Sequence, residues 1–146
     1  MEDVLNVAAY ISQRYYSEYN QQIDEMKLHS LMYFAQRESL IQTGEPLFNA
    51  AFYGCKYGPI LKEITGICIA TPKDFTRDCS SILNKVFDSY AKKDSWSLSR
   101  LTQGETSWNN SRLPENTNHL MSLEDICKDA ERMKSRRQML KKLGFI

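Results

Sequence analysis

The stretch MKLHSLMYFAQ, residues 26–36, decides the fold. Leu28, Leu31, Met32 and Ala35 recur three and four residues apart, which places them on one face of an α-helix. Tyr33 and Phe34 carry apolar surface further round the cylinder. A helix that is apolar over most of its circumference must be enclosed by other elements. The reading is therefore a largely buried central helix, closed by Gly44 and Pro46.

The flanking sequence supplies the enclosing elements. Val4, Ala8, Ile11 and Tyr15 recur at helical intervals, as do Ile82, Leu83, Val86, Phe87 and Tyr90, with Thr76 or a nearby residue as cap. Between them, Ile60, Leu61, Ile64, Ile67 and Cys68 form a further stripe that stops at Thr71-Pro72. It is preceded by Tyr57-Gly58-Pro59: the glycine permits a sharp turn, and proline suits the first position of a helix, where its missing N–H has no partner to lose. Ser97 caps a short turn ending at Gly104. Ser122 with Asp125 makes a start resembling a capping box for a last helix carrying Ile126, Ala130, Met133 and Leu140, and Gly144 stops it. Residues 103–120 read as an irregular loop. Only PLFNAAFYGCKY, residues 46–57, has β character. The expectation is a mainly α fold: a single compact domain spanning residues 1–146, of about five to seven helices, with at most a small β-hairpin or extended segment around 46–57.

Composition bounds the function. A chain of 146 residues, 42% hydrophobic, is long enough to bury roughly 68–70% of its unfolded surface without covalent staples. The four cysteines (Cys55, Cys68, Cys79, Cys127) form no C-x-x-C pair, so they read as reduced thiols rather than a zinc site or a secreted framework. The opening MEDVLNVAAYISQRYY is acidic where a secretory leader is basic, and no apolar run approaches the roughly 18 residues of a membrane span. The expectation is a cytoplasmic protein with no membrane partner, no cofactor and no metal. His29 and His119 have no ligand at metal spacing, the six glycines are dispersed rather than clustered around a phosphate, and no G-x-S-x-G elbow occurs. Nothing in the pattern points to catalysis. A carboxylate pair such as Glu63 and Glu105, or His29, is all that an enzyme reading would have to use.

The net charge is +1, but ERMKSRRQMLKKLGFI, residues 131–146, carries six basic groups against one acidic, leaving thirteen against seventeen on the rest. A basic C-terminal helix from about residue 131 either binds an anionic partner or is a solvated helix whose cations favour its negative dipole end. The segment SWSLSRLTQGETSWNNSR, residues 95–112, holds both tryptophans. Trp96 and Trp108 either pin it to the core or, with Arg112, display a binding surface.

Taken in order, MKLHSLMYFAQ, GEPLFNAAFYGCKYGPI, LSRLTQGETSWNNSR and the helix begun by SLEDI resemble the Panacea domain, a family also described as SocA-like antitoxin or phage-associated proteins. The resemblance runs from about residue 4 to residue 133. Its positions fall on Lys27, Leu28, Leu31, Tyr33 and Phe34; on Tyr57, Gly58 and Pro59; and on Thr102, Glu105, Trp108 and Arg112. Two positions depart from the pattern: His29 stands where glutamine follows the K-L pair, and Ser107 stands where proline precedes the tryptophan, which is expected to loosen the loop. The resemblance implies a mainly helical antitoxin without catalytic activity, whose partner is a cognate toxin neutralised by direct binding; a SocA-type member also hands its toxin to a host protease. A nucleic-acid-binding regulator using the basic tail, and a phage accessory protein binding another host factor, are the competing readings.

Overall fold

The computed structural model describes residues 1–65 and 71–146. Two long helices open the chain: α1, Val4–Tyr19, and α2, Glu25–Thr43. Asp3 and Asp24 cap them, each carboxylate accepting an N–H of the first turn, and Asn20 and Gly44 close them in the left-handed conformation. Every residue of α2 from Lys27 to Leu40 is buried. The apolar spacing thus identifies its environment correctly, and the enclosure extends to charged residues as well.

The chain then forms a hairpin, β1 (Phe52–Cys55) and β2 (Gly58–Leu61), joined through Lys56 and Tyr57. A third strand, β3 (Leu120–Met121), pairs antiparallel with the other side of β1, giving the order β2-β1-β3. After β2, Lys62–Ile64 make one 3₁₀ turn. Helix α3, Ser80–Val86, runs on into a π-helical turn, Phe87–Ala91; α4 spans Ser95–Gln103, α5 Thr106–Ser111 and α6 Leu123–Lys142. α2 packs against α1, α3, α4, α6 and β2. Leu31, Met32, Tyr33, Phe34, Phe48, Phe52, Leu61 and Leu98 are fully enclosed around it. The fold is mainly α with a small antiparallel sheet.

Four local expectations are corrected. The stripe at Ile60, Leu61 and Ile64 is not a helix begun by Pro59: residues 58–61 are a strand, while Ile67 and Cys68 lie outside the described residues. Short apolar runs fit either period, and Pro59 is tolerated because β2 is an edge strand. Leu61 N–H points away from β1, to His29 Nδ1 at 3.0 Å; two residues earlier, the nitrogen of Pro59 faces the same way, so no ladder bond is missing. The loop at 103–120 contains α5. Finally, Thr76 does not cap α3 but gives its N–H and hydroxyl to Glu2, at 2.7 and 2.6 Å, and it is Asp94 that caps α4, accepting the N–H of Ser97. Ser122 caps α6 as expected, accepting from Asp125 N–H at 3.1 Å. Gly144 ends that helix with φ +83°, and Phe145 N–H returns to Leu140 C=O at 2.8 Å. Among the described residues no helix is long and apolar enough to cross a membrane.

Candidate functional site

Helix spacing puts Tyr33 and Arg37 one turn apart on α2, aimed at the junction of α4, α5 and α6. There the Tyr33 hydroxyl lies 2.9 Å from Glu105 Oε2 and 2.8 Å from Asp129 Oδ2. Arg37 donates through Nη1 to Glu105 Oε1 at 2.7 Å and through Nη2 to the Tyr90 hydroxyl at 2.6 Å. Asp129 also accepts the N–H groups of Thr106 and Ser107, at 2.8 and 3.1 Å. All four central residues are buried.

A phenol has one proton to give, yet Tyr33 touches two carboxyl groups. Burial raises the Glu105 pKa from its ordinary value, against the opposing pull of Arg37, and burial lifts the Tyr33 phenol well above its usual value. The network binds the π turn, α5 and α6 to α2.

The other sequence-marked residues turn inward in the same manner. Lys27 is buried and donates to the Tyr15 hydroxyl and to Ala91 C=O, both at 3.2 Å. Trp108 Nε1 donates to Cys55 C=O at 2.8 Å, and Arg112 Nη1 to Gly54 C=O at 3.0 Å, so two loop residues grip β1. Thr102 is buried against Gly58: a Cβ there would come within 2.9 Å of its hydroxyl, and φ of +138° already favours glycine. Tyr57 C=O accepts from Ser99 Oγ, while the Tyr57 ring is half-exposed, edge-on to Trp96. Pro59 lies buried in β2.

The two departures from the family pattern have structural consequences. His29 accepts the Leu61 N–H and so fastens the sheet edge to α2. Ser107 does not loosen the loop; it supplies an N–H to Asp129 that proline lacks, and its hydroxyl lies 3.4 Å from Tyr33. The carboxylate partner of Glu105 is Asp129, whereas Glu63 is exposed on the 3₁₀ turn.

Arg37, Tyr90 and Asp129 were not among the sequence candidates. The signal available was an arginine and a glutamate, Arg37 and Glu38, continuing a helix already apolar over most of its circumference. Above the network is a cavity of about 450 Å³ lined by residues of α2, the π turn, α4 and α6, including Arg37, Arg100, Arg132 and Arg136. Next to Arg136 on α6, Arg137 forms a two-pronged bond to buried Glu38, at 3.0 and 2.8 Å.

Residues 26–74 match the family model of the antitoxin SocA-like, Panacea domain. The Panacea match covers α2, the hairpin and the 3₁₀ turn, so Lys27, Tyr33, Tyr57, Gly58 and Pro59 fall within it, while Thr102, Glu105, Trp108 and Arg112 lie beyond its end. It is narrower than the span over which the sequence resembles the family. No curated protein and no solved structure matches the chain. The matched segment and the later residues are nonetheless one assembly, since Tyr33 and Arg37 find their partners at positions 105, 129 and 90.

Proposed function

We propose that the chain is an antitoxin-like binding module that neutralises a cognate toxin by direct contact and carries out no chemistry of its own. The family match supplies the kind of partner. The observation that carries the reading is the inward use of the sequence-marked side chains: Lys27, Tyr33, Thr102, Glu105 and Trp108 all hydrogen-bond within the protein. A scaffold held from inside leaves its surface free to vary with the partner. The buried carboxyl groups that an enzyme would need are engaged by Arg37, Tyr33 and backbone N–H groups.

The nucleic-acid reading is less well supported, because part of the basic tail is committed to the fold. Arg137 binds Glu38, and Arg132 lies 3.8 Å from Asp129. Co-expression with the product of the adjacent gene tests the proposal. Growth restored to cells poisoned by that product, with the two proteins co-purifying at 50 and 200 mM salt alike, is the expected result. Absence of rescue, with binding to DNA or RNA that weakens by orders of magnitude over that salt range, overturns it. Shortening of the toxin's lifetime on co-expression would identify delivery to a protease.

A further inference from the structure

The 450 Å³ cavity between α2, the π turn, α4 and α6 has more positive charge than the fold uses. Of its four arginines, Arg37 is matched by Glu105 at 2.7 Å, and Arg132 lies 3.8 Å from Asp129. Arg100 and Arg136 form no ion pair among the described residues; Arg100 donates to Ser97 Oγ at 3.3 Å and is offset in part by Asp94 outside the lining, so the lining itself holds two cations without a carboxylate partner. Arg37 is itself 2% exposed, and its Nε is buried with no hydrogen-bond partner. A buried donor without a partner is costly unless something supplies an acceptor.

Beside the cations the wall is apolar. Phe34 and Tyr90 stack at 4.0 Å, Met133 is half-buried and Leu101 is 42% exposed. An opening that pairs guanidinium groups with apolar surface suits a carboxylate carried next to a hydrophobic side chain, because arginine presents a planar fork matched to carboxylate oxygens. A nucleic-acid backbone fits less well: Glu105 and Asp129 lie in the same lining, and a cavity of this size takes a side chain or two rather than a run of phosphates.

We propose that this cavity is the docking site for an acidic, apolar-flanked segment of the protein partner, with Arg100 and Arg136 reading the carboxylate and Leu101 and Met133 the neighbouring side chain. The inference rests on the binding-module reading for the existence of a protein partner, but the site can be tested without that partner. The full chain is titrated, by backbone NMR, with the acetylated peptide Phe-Glu-Leu-Asp-Glu, with its Gln/Asn twin, with inorganic phosphate and with a twelve-nucleotide single-stranded DNA. The expected result is a shift of the Arg100, Leu101, Met133 and Arg136 resonances by the acidic peptide. Its affinity should be at least about tenfold above that of the amide twin and should be lost in R100E/R136E, whose exposed substitutions leave the melting temperature in place. Equal response to the twins, no response at these residues, or persistence in R100E/R136E overturns the site. Tighter occupation by phosphate or DNA overturns it in favour of a phosphate ligand. In the co-expression assay, rescue by the parent chain and equally by R100E/R136E refutes the docking site while leaving the antitoxin reading standing. Failure of the parent chain to rescue refutes that reading and leaves the site to the titration.

Discussion

The hydroxyl oxygen of Ser111 lies 1.8 Å from the point where a Cβ on Gly54 would stand, and Ser111 Cβ is only 2.9 Å from it. The contact between the end of α5 and β1 is thus a backbone-to-side-chain packing that admits no methyl group. Gly54→Ala should destabilise the fold by about 1–3 kcal/mol through overpacking. Adding Ser111→Gly should recover part of the loss, read as a positive coupling in a double-mutant cycle of urea midpoints. Additive effects would mean that the clash is relieved elsewhere.

Trp108 has two separable roles, an indole body over the sheet and an N–H to Cys55 C=O. Trp108→Phe should cost about 0.5–1.5 kcal/mol, the net worth of one hydrogen bond, whereas Trp108→Ala should approach about 3 kcal/mol, the lower end for a large aromatic because the residue is only half-buried. Chemical denaturation of both variants checks the order. A Trp108→Ala variant that keeps its stability but loses its partner would restore the display reading.

Acid should loosen the sheet edge. Burial holds His29 below its ordinary pKa of 6.5, with Glu25 opposing, so as pH falls the unfolded chain takes up the proton first. The contribution is complete above about pH 6.5 and declines as pH drops through that value toward the folded-state pKa. A protonated Nδ1 also ceases to accept the Leu61 N–H. The urea midpoint should fall from pH 8 to pH 5, and His29→Gln, which keeps an acceptor but does not titrate in this range, should flatten that part of the curve.

Removing Arg137 strands a buried charge. Arg137→Ala leaves Glu38, 2% exposed, without its cation and should cost about 3 kcal/mol, as breaking a buried pair does. Glu38→Gln in the same chain should restore much of it. The same contact means that deleting residues 134–146 disturbs the fold as well as the charge, so point substitutions are the cleaner probe of the tail.

How far the sequence revealed these features follows from where each signal lies. The burial of α2 is written in consecutive residues, Leu28 to Phe34, and its end in Gly44, so a local reading suffices. The strand at 58–61 is invisible locally, because Pro59, Ile60 and Leu61 satisfy a helix start as well as an edge strand; only pairing with β1 and the bond to His29 select the strand. The Tyr33, Arg37, Glu105 and Asp129 network is partly legible. Tyr33 and Glu105 stand out through the family pattern, but Asp129 looks like any helix-surface acid until α6 is laid against α2. Cavity and charge surplus are products of four separate segments meeting, which no spacing rule encodes.

The partners of α2 arrive late along the chain. Arg37 pairs across 68 residues, Tyr33 across 72 and 96, and Glu38 across 99. During synthesis Arg37 and Glu38 therefore wait for their ionic partners until most of the protein has been made. The segment 26–74, the part that matches the family model, lacks those partners: excised, it would leave Arg37 without Glu105 and Tyr90, and Glu38 without Arg137. To keep these bonds, a transplanted domain has to run from α2 through α6.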